Sequence, residues 1–424
     1  MPQSVIRMTY RIETAGEVAA LAEKIASDQS TGTFVPTPGE TPELKARVGA
    51  RVVALRPLEA TRTPSFPETR PGADGLYRRG EADIEFPLEA VGTDLAALTT
   101  IAIGGVWSIK GFSGVRIVDM KLPQEFAAAH PGPQFGIEGS RALTGVRERP
   151  LIGSIVKPAL GLRPHETAEM VRELAEADAD FVKDDEKLMS PAYSSLADRV
   201  RVVMPMLLDR EQKTGKKVMY AFGISHADPD VMMRNHDIVA EAGGNAAVIN
   251  INSIGYGGFA YLRKRSRLVL HAHRNGWDIL TRHPGLGLDF RVYQQFWRLL
   301  GVDQFQINGI GAKYWEPDDS FVHSFHALRE PLFSPADRPL PVAGSGQWGG
   351  QAPETYRRTG QTQDLLYLCG GGVVSHPGGP AAGVRAVRQA WEAAVAGTPL
   401  EIYARDHREL AQSIAKFGGG EGGA

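Results

Sequence analysis

Phe181-Val182-Lys183-Asp184-Asp185-Glu186 carries a short apolar run straight into one lysine and three carboxylates. The apolar part, Ala179 to Val182, has the composition of a buried strand. Side chains alternate along a strand, so Lys183 and Asp185 are expected on one side and Glu186 where the strand ends. Three carboxylates this close attract a hard divalent cation. A lysine among them is out of place unless its positive charge is turned negative.

The same grammar, an apolar run closed by ionisable or glycine residues, recurs from Leu151 onward. Eight such runs cover 151–157, 181–186, 217–225, 246–252, 268–274, 304–308, 340–345 and 364–369. Gaps between them hold helical spacing at 165–179, 195–214, 228–242 and 383–396. Eight β/α units in about 250 residues is the size of a TIM barrel, whose active site lies at the C-terminal ends of its strands. The expected fold class is therefore α/β, with a C-terminal (β/α)8 barrel over 131–424 that includes a C-terminal helical extension.

Residues 1–130 follow another pattern. Strands are expected at 5–13 and 48–55, one or two short strands at 75–86, and helices at 15–27 and 94–103. This is a smaller α+β domain of ferredoxin-like character. The Pro/Gly-rich segment His130-Pro131-Gly132-Pro133 marks the expected boundary.

Composition narrows the function classes. The net charge of −2 over 424 residues argues against nucleic acid or an anionic membrane as partner. No stretch approaches the ~18 apolar residues that a membrane span requires. One cysteine, Cys369, excludes an intrachain disulfide and fits a cytoplasmic location, as does the lack of an apolar signal region in 1–14.

Polar residues gather at the ends of the apolar runs: Lys157-Pro158, Lys183 to Glu186, Asn250-Ile251-Asn252, His271-Ala272-His273-Arg274, Asn308 through Lys313, Gly344-Ser345-Gly346 and Gly370-Gly371-Gly372. Each has a plain structural explanation taken alone. Lys157 fits a solvated strand end, Lys183 to Glu186 an exposed turn, and His271 and His273 a hydrogen-bonded core. The glycine run fits an ordinary loop, although such runs before a helix also expose N–H groups that suit phosphate. Their joint occurrence, in order, is the informative feature.

In that order the segments resemble ribulose-bisphosphate carboxylase (RuBisCO) large chains and their RuBisCO-like relatives, from about Ile6 to Phe417. Gly153-Ser154-Ile155-Val156-Lys157-Pro158 is similar to the strand-one motif, with Lys157 at the lysine used in enolisation. The resemblance makes Lys183 the lysine that takes up CO2 as a carbamate and, with Asp185 and Glu186, binds Mg2+. It also sets His273 near the substrate, Arg274 on a phosphate and Lys313 on the mobile loop after strand six. Ser345, Gly370 and Gly371 match substrate contacts. Ser30-Thr31-Gly32-Thr33-Phe34 resembles the segment that reaches a neighbouring subunit's site, which makes Thr33 a substrate contact and implies a homodimer with shared active sites. A carbamate beside two carboxylates is an all-oxygen site suited to Mg2+. The base in enolisation is left open among the carbamate, Lys157 and His273.

Departures from the carboxylase pattern are Ala159 for a lysine, Gly105 for an asparagine, Asp28 for a glutamate, Gln306 for a histidine and Gln347 for a glycine. They argue against CO2 fixation on ribulose bisphosphate. Gln347 is expected to fill space at an oxyanion contact. The function implied is enolisation of a phosphorylated keto-sugar or keto-sugar acid. Decarboxylation or transcarboxylation with hydrolysis of 3-oxo-isoapionate 4-phosphate, in D-apiose breakdown, is preferred over isomerisation of a methylthio-sugar phosphate. A true carboxylase and a non-catalytic sugar-phosphate-binding protein are the remaining alternatives.

Overall fold

The structure, a computed structural model, describes residues 3–33, 35 and 37–419. The chain divides into two compact units, one of Met1–Pro131 with Gly276–Leu299 and the other of Gly132–Asn275 with Leu300–Ala424. The division differs from the single boundary expected at residue 130, because the segment Gly276–Leu299 belongs with the first unit.

The first unit holds strands β1 (Val5–Thr14), β2 (Arg51–Thr61), β3 (Tyr77–Pro87) and β4 (Phe112–Lys121). β1 pairs antiparallel with both β3 and β4, and β2 closes one edge on β3. One face of β1, from Ile6 through Met8 and Tyr10 to Ile12, is fully buried. The other face carries cross-strand ion pairs, Arg7 to Glu85 at 2.5 Å and Arg11 to Glu81 at 2.8 Å. This alternation is what a sheet with one covered face requires. Of the one or two short strands expected at 75–86 the structure has one, the 11-residue β3, and β4 has no counterpart among the expected strands.

The second unit supplies strands β5 (Leu151–Ile155), β6 (Phe181–Lys183), β7 (Met219–Gly223), β8 (Ala246–Asn250) and β9 (Val269–His273). A short strand of the first unit, β10 (Leu286–Leu288), then pairs parallel with β4. The barrel resumes with β11 (Gln304–Asn308), β12 (Leu340–Ala343) and β13 (Leu366–Cys369). The eight barrel strands close in the order β11-β12-β13-β5-β6-β7-β8-β9. All eight apolar runs of the sequence form barrel strands, six of them ending short of the run's polar C-terminal end and β11 and β13 ending with it. Leu151, Phe181, Met219, Val269, Leu340 and Leu366 pack among the buried residues of the barrel core. No helix among the described residues is long and apolar enough to cross a membrane.

Candidate active site

β6 ends at Lys183, so Asp184, Asp185 and Glu186 lie on the loop that follows rather than on the strand. Strand alternation therefore does not set their directions; side-chain hydrogen bonds do. Asp185 Oδ1 accepts the N–H of Lys187 at 3.1 Å, which turns the chain and leaves Oδ2 facing Lys157 Nζ at 2.5 Å. Asp184 points the other way. Its carboxylate accepts from Arg199 Nη2 at 3.1 Å, the Tyr220 hydroxyl at 2.7 Å and Gly223 N at 3.0 Å. Asp184 and Arg199 are both fully buried, and their pair ties the loop to the helix Leu196–Thr214.

Lys183 is fully buried, its Nζ donating to the Asp184 carbonyl at 2.9 Å and lying 3.5 Å from Glu186 Oε2. Burial lowers its pKa below the ordinary lysine value, against the attraction of Glu186, Asp185 and Asp184. Loss of the proton leaves a neutral, nucleophilic amine. Burial pushes the Glu186 carboxyl up, but His273 and Lys183 opposite it bring the net value down to about 2. The backbone of Glu186 is held by Asn250 Nδ2, which donates to its carbonyl at 2.7 Å.

His273 Nδ1 accepts the N–H of Asn275 at 3.3 Å, so the neutral ring carries its proton on Nε2, 3.6 Å from Glu186 Oε2. Burial and the Lys183 charge lower His273 to about 4 and His271 to about 3, which keeps both rings neutral at pH 7. His271 behaves as core: its Nδ1 lies 3.0 Å from Gln304 Oε1 and its ring 5.0 Å from that of Phe181.

Arg274 pairs with the Glu316 carboxylate, whose Oε1 also accepts from the Ser320 hydroxyl at 2.6 Å. Ser345 has a left-handed backbone at φ 67°, uncommon for a non-glycine residue, and its carbonyl accepts the Lys313 N–H at 3.1 Å. The Lys313 side chain is exposed, with Nζ 5.0 Å from the centre of the Tyr314 ring. A Cβ at Gly370 would lie 3.4 Å from Lys157 Cε, and one at Gly371 would meet nothing within 4 Å. Gly372 is a packing glycine, since a Cβ there would lie 2.3 Å from the Gln347 carbonyl.

Lys157 with Asp185, and Lys183 with Glu186 and His273, thus form two contact groups, and the charges of Glu186, Asp185 and Lys157 all act on Lys183. Thr33 lies in the first unit, where its hydroxyl donates to Glu40 Oε1 at 2.8 Å; Phe34 lies outside the described residues. One further correction concerns a substituted position. Gln347 does not fill an oxyanion contact, because its fully buried amide turns toward Ile310 and Tyr367. At Gly105 a Cβ would lie 2.7 Å from Gln29 Nε2, the movable end of a flexible side chain. Asn250 and Glu316 were not singled out as functional from the sequence. A polar strand end was the only signal for Asn250, and Glu316 had none beyond lying three residues after Lys313.

Among the described residues no three His, Cys, Asp or Glu side chains converge as a metal cage. Asp185 and Glu186 offer two carboxylates, and a carbamate on Lys183 is the oxygen donor that would complete a hard-cation site.

Residues 136–417 match the family model described as ribulose bisphosphate carboxylase large chain, catalytic domain. The chain belongs to the RuBisCO large-chain family. Within it, the chain is 75% identical over 418 residues to a 3-oxo-isoapionate-4-phosphate decarboxylase of Rhizobium etli, covering 99% of this chain and 100% of that one. A 3-oxo-isoapionate-4-phosphate transcarboxylase/hydrolase of Xanthobacter autotrophicus is 44% identical, over 93% of this chain and 94% of the relative. The crystal structure of a RuBisCO-like protein from Burkholderia fungorum superposes with a TM-score of 0.90 at 38% identity, covering 98% of this chain and all of that one. The family and these relatives make this chain an enzyme of the RuBisCO-like group.

Proposed function

We propose that the chain is a 3-oxo-isoapionate-4-phosphate decarboxylase that works with Mg2+ and a CO2-derived carbamate on Lys183. The observation that carries this is the 75% identity to the Rhizobium etli decarboxylase over essentially both chains, against 44% to the transcarboxylase/hydrolase.

The residues fit the chemistry. A 3-oxo acid loses CO2 when the electrons of the breaking C–C bond move onto the neighbouring carbonyl, giving an enediolate that then takes up a proton. Asp185, Glu186 and the Lys183 carbamate would hold Mg2+, which when bound supplies the positive charge that stabilises the enediolate oxygens. The surrounding side chains do the rest. Lys157 holds a proton at Nζ beside Asp185, and His273 offers an N–H at Nε2. Arg274 and Ser345 are suited to the substrate phosphate, while buried Gly370 lies next to Lys157 and Gly371 has open space around it.

The family resemblance also supports a homodimer in which Thr33 completes a second copy's site; a monomer in sedimentation at micromolar concentration would remove that part. The single buried cysteine, Cys369, supports a cytoplasmic location.

The test is incubation with 3-oxo-isoapionate 4-phosphate, Mg2+ and bicarbonate. Release of CO2 with the decarboxylated sugar phosphate as sole product is expected, and Lys183→Ala is expected to abolish it. Turnover of a methylthio-sugar phosphate alone, or fixation of labelled CO2 onto ribulose bisphosphate, would sink the assignment.

A further inference from the structure

We propose that Gln347 is a positioning residue for Lys313, acting as a buried amide clamp on the loop after β12 that anchors the root of the loop after β11 and is itself held by Tyr367 of strand β13. The inference rests on the reading of Lys313 as a group that acts on substrate.

The clamp is built from both ends of one side chain. Gln347 Nε2 donates to the carbonyl of Ile310 at 3.0 Å. Its Oε1 lies 3.2 Å from the Tyr367 hydroxyl, whose one proton is shared with the Trp348 carbonyl at 2.8 Å. Gln347 and Tyr367 are fully buried and Ile310 nearly so, so these bonds form away from water, where a lost partner is costly. Space is reserved for the amide: a Cβ at Gly309 would lie 2.5 Å from Gln347 Nε2.

Backbone bonds on either side of the clamp set where Lys313 emerges. Gly344 N donates to the Asn308 carbonyl at 2.8 Å, and Lys313 N to the Ser345 carbonyl at 3.1 Å. At Gly346, with φ +89°, a Cβ would come within 3.1 Å of Lys313 Cβ. Ile310 is thus clamped between two backbone bonds, and the Lys313 side chain extends from the far one into solvent. The stem is long and flexible, so the root sets the region that Nζ can sweep.

Gln347→Met keeps the volume and removes both polar contacts. In the Mg2+-loaded enzyme it is expected to lower kcat about tenfold while KM moves less than about threefold. Placed on a Lys313→Met background, the same change is expected to cost less than about twofold, because the group it positions is gone. Amide exchange over residues 309–313 is expected to accelerate while the barrel strands keep their protection. Tyr367→Phe, which removes only the hydroxyl, is expected to act in the same direction more weakly, and carries the test if Gln347→Met does not fold. Equal losses with and without Lys313, or unchanged exchange over 309–313, would overturn the proposal. Full activity of Lys313→Met would instead overturn the role of Lys313, with the exchange measurement still deciding whether Gln347 anchors the loop.

Discussion

Lys157 Nζ lies 2.5 Å from Asp185 Oδ2, across 28 residues of chain, and so occupies an oxygen that the proposed Mg2+ site also needs. Asp185 is almost wholly buried, while Lys157 is about one-third exposed. The ammonium both neutralises the carboxylate and competes for it. Lys157→Met is therefore expected to tighten Mg2+ binding in calorimetry while lowering turnover by about a hundredfold or more, the range for loss of a proton-transfer group. Weaker Mg2+ binding would mean that Lys157 organises the site rather than competing within it.

The adjacent residues Asp184 and Asp185 are expected to fail in different ways when substituted. Asp184→Ala strands the Arg199 guanidinium, fully buried, without its carboxylate. Breaking such a pair costs about 3–5 kcal/mol, which denaturant titration would show as a large loss of midpoint or as insoluble protein. Asp185→Asn leaves Lys157 able to reach water, so its unfolding free energy is expected within about 1 kcal/mol of the parent, with activity lost. A folded, active Asp184→Ala variant would contradict the structural role of that carboxylate.

The contrast within this one run shows how far the sequence could be read. The barrel was legible because its strands are buried on both faces and end in polar residues, so each appears as an apolar run with a charged close. β4 was not, since its burial is nearly continuous and leaves no alternation to detect, and β10 has only three residues. The charged cluster could be named from Lys183, Asp185 and Glu186, but their directions were assigned from strand alternation, which stops at Lys183. Arg274 and Glu316 are 42 residues apart, and Gln347 and Ile310 are 37 apart. Contacts at such separations come from barrel closure, which carries no local signal.

Glu409 gives a pH test remote from the chemistry. It accepts from Gln389 and Arg385, each at 3.0 Å, and so pins the helix Arg408–Phe417 to the helix Gly379–Ala396. The Gln389 bond first, then its own N–H and Arg385, lower its carboxyl from 4.5 to about 2. A carboxyl depressed on folding contributes stability above its unfolded pKa and loses it as pH falls through the folded one. Glu409→Gln is thus expected to lower the unfolding midpoint at neutral pH, with the gap to the parent narrowing below about pH 4.5 and closing near 2. A gap that stayed constant across that window would assign the loss to packing instead.

Arg274 is held by a carboxylate at the place where a substrate phosphate is proposed to sit. Glu316 spans the guanidinium, with Oε1 3.4 Å from Nη1, and is itself fixed by the Ser320 hydroxyl at 2.6 Å. Both side chains are largely buried, at 12% and 4% exposure, so solvent screens their charges weakly. A phosphate arriving at Arg274 would share the cation with Glu316 and be repelled by it. Glu316→Gln keeps the shape and removes that repulsion, and is expected to tighten inorganic phosphate about three- to tenfold in calorimetry. Arg274→Met is expected to weaken it about tenfold or more and to raise KM for the phosphorylated substrate in parallel. If Glu316→Gln weakened phosphate as severely as Arg274→Met, Glu316 would be orienting the arginine rather than competing for it, and the anion would need Glu316 in place to bind at all.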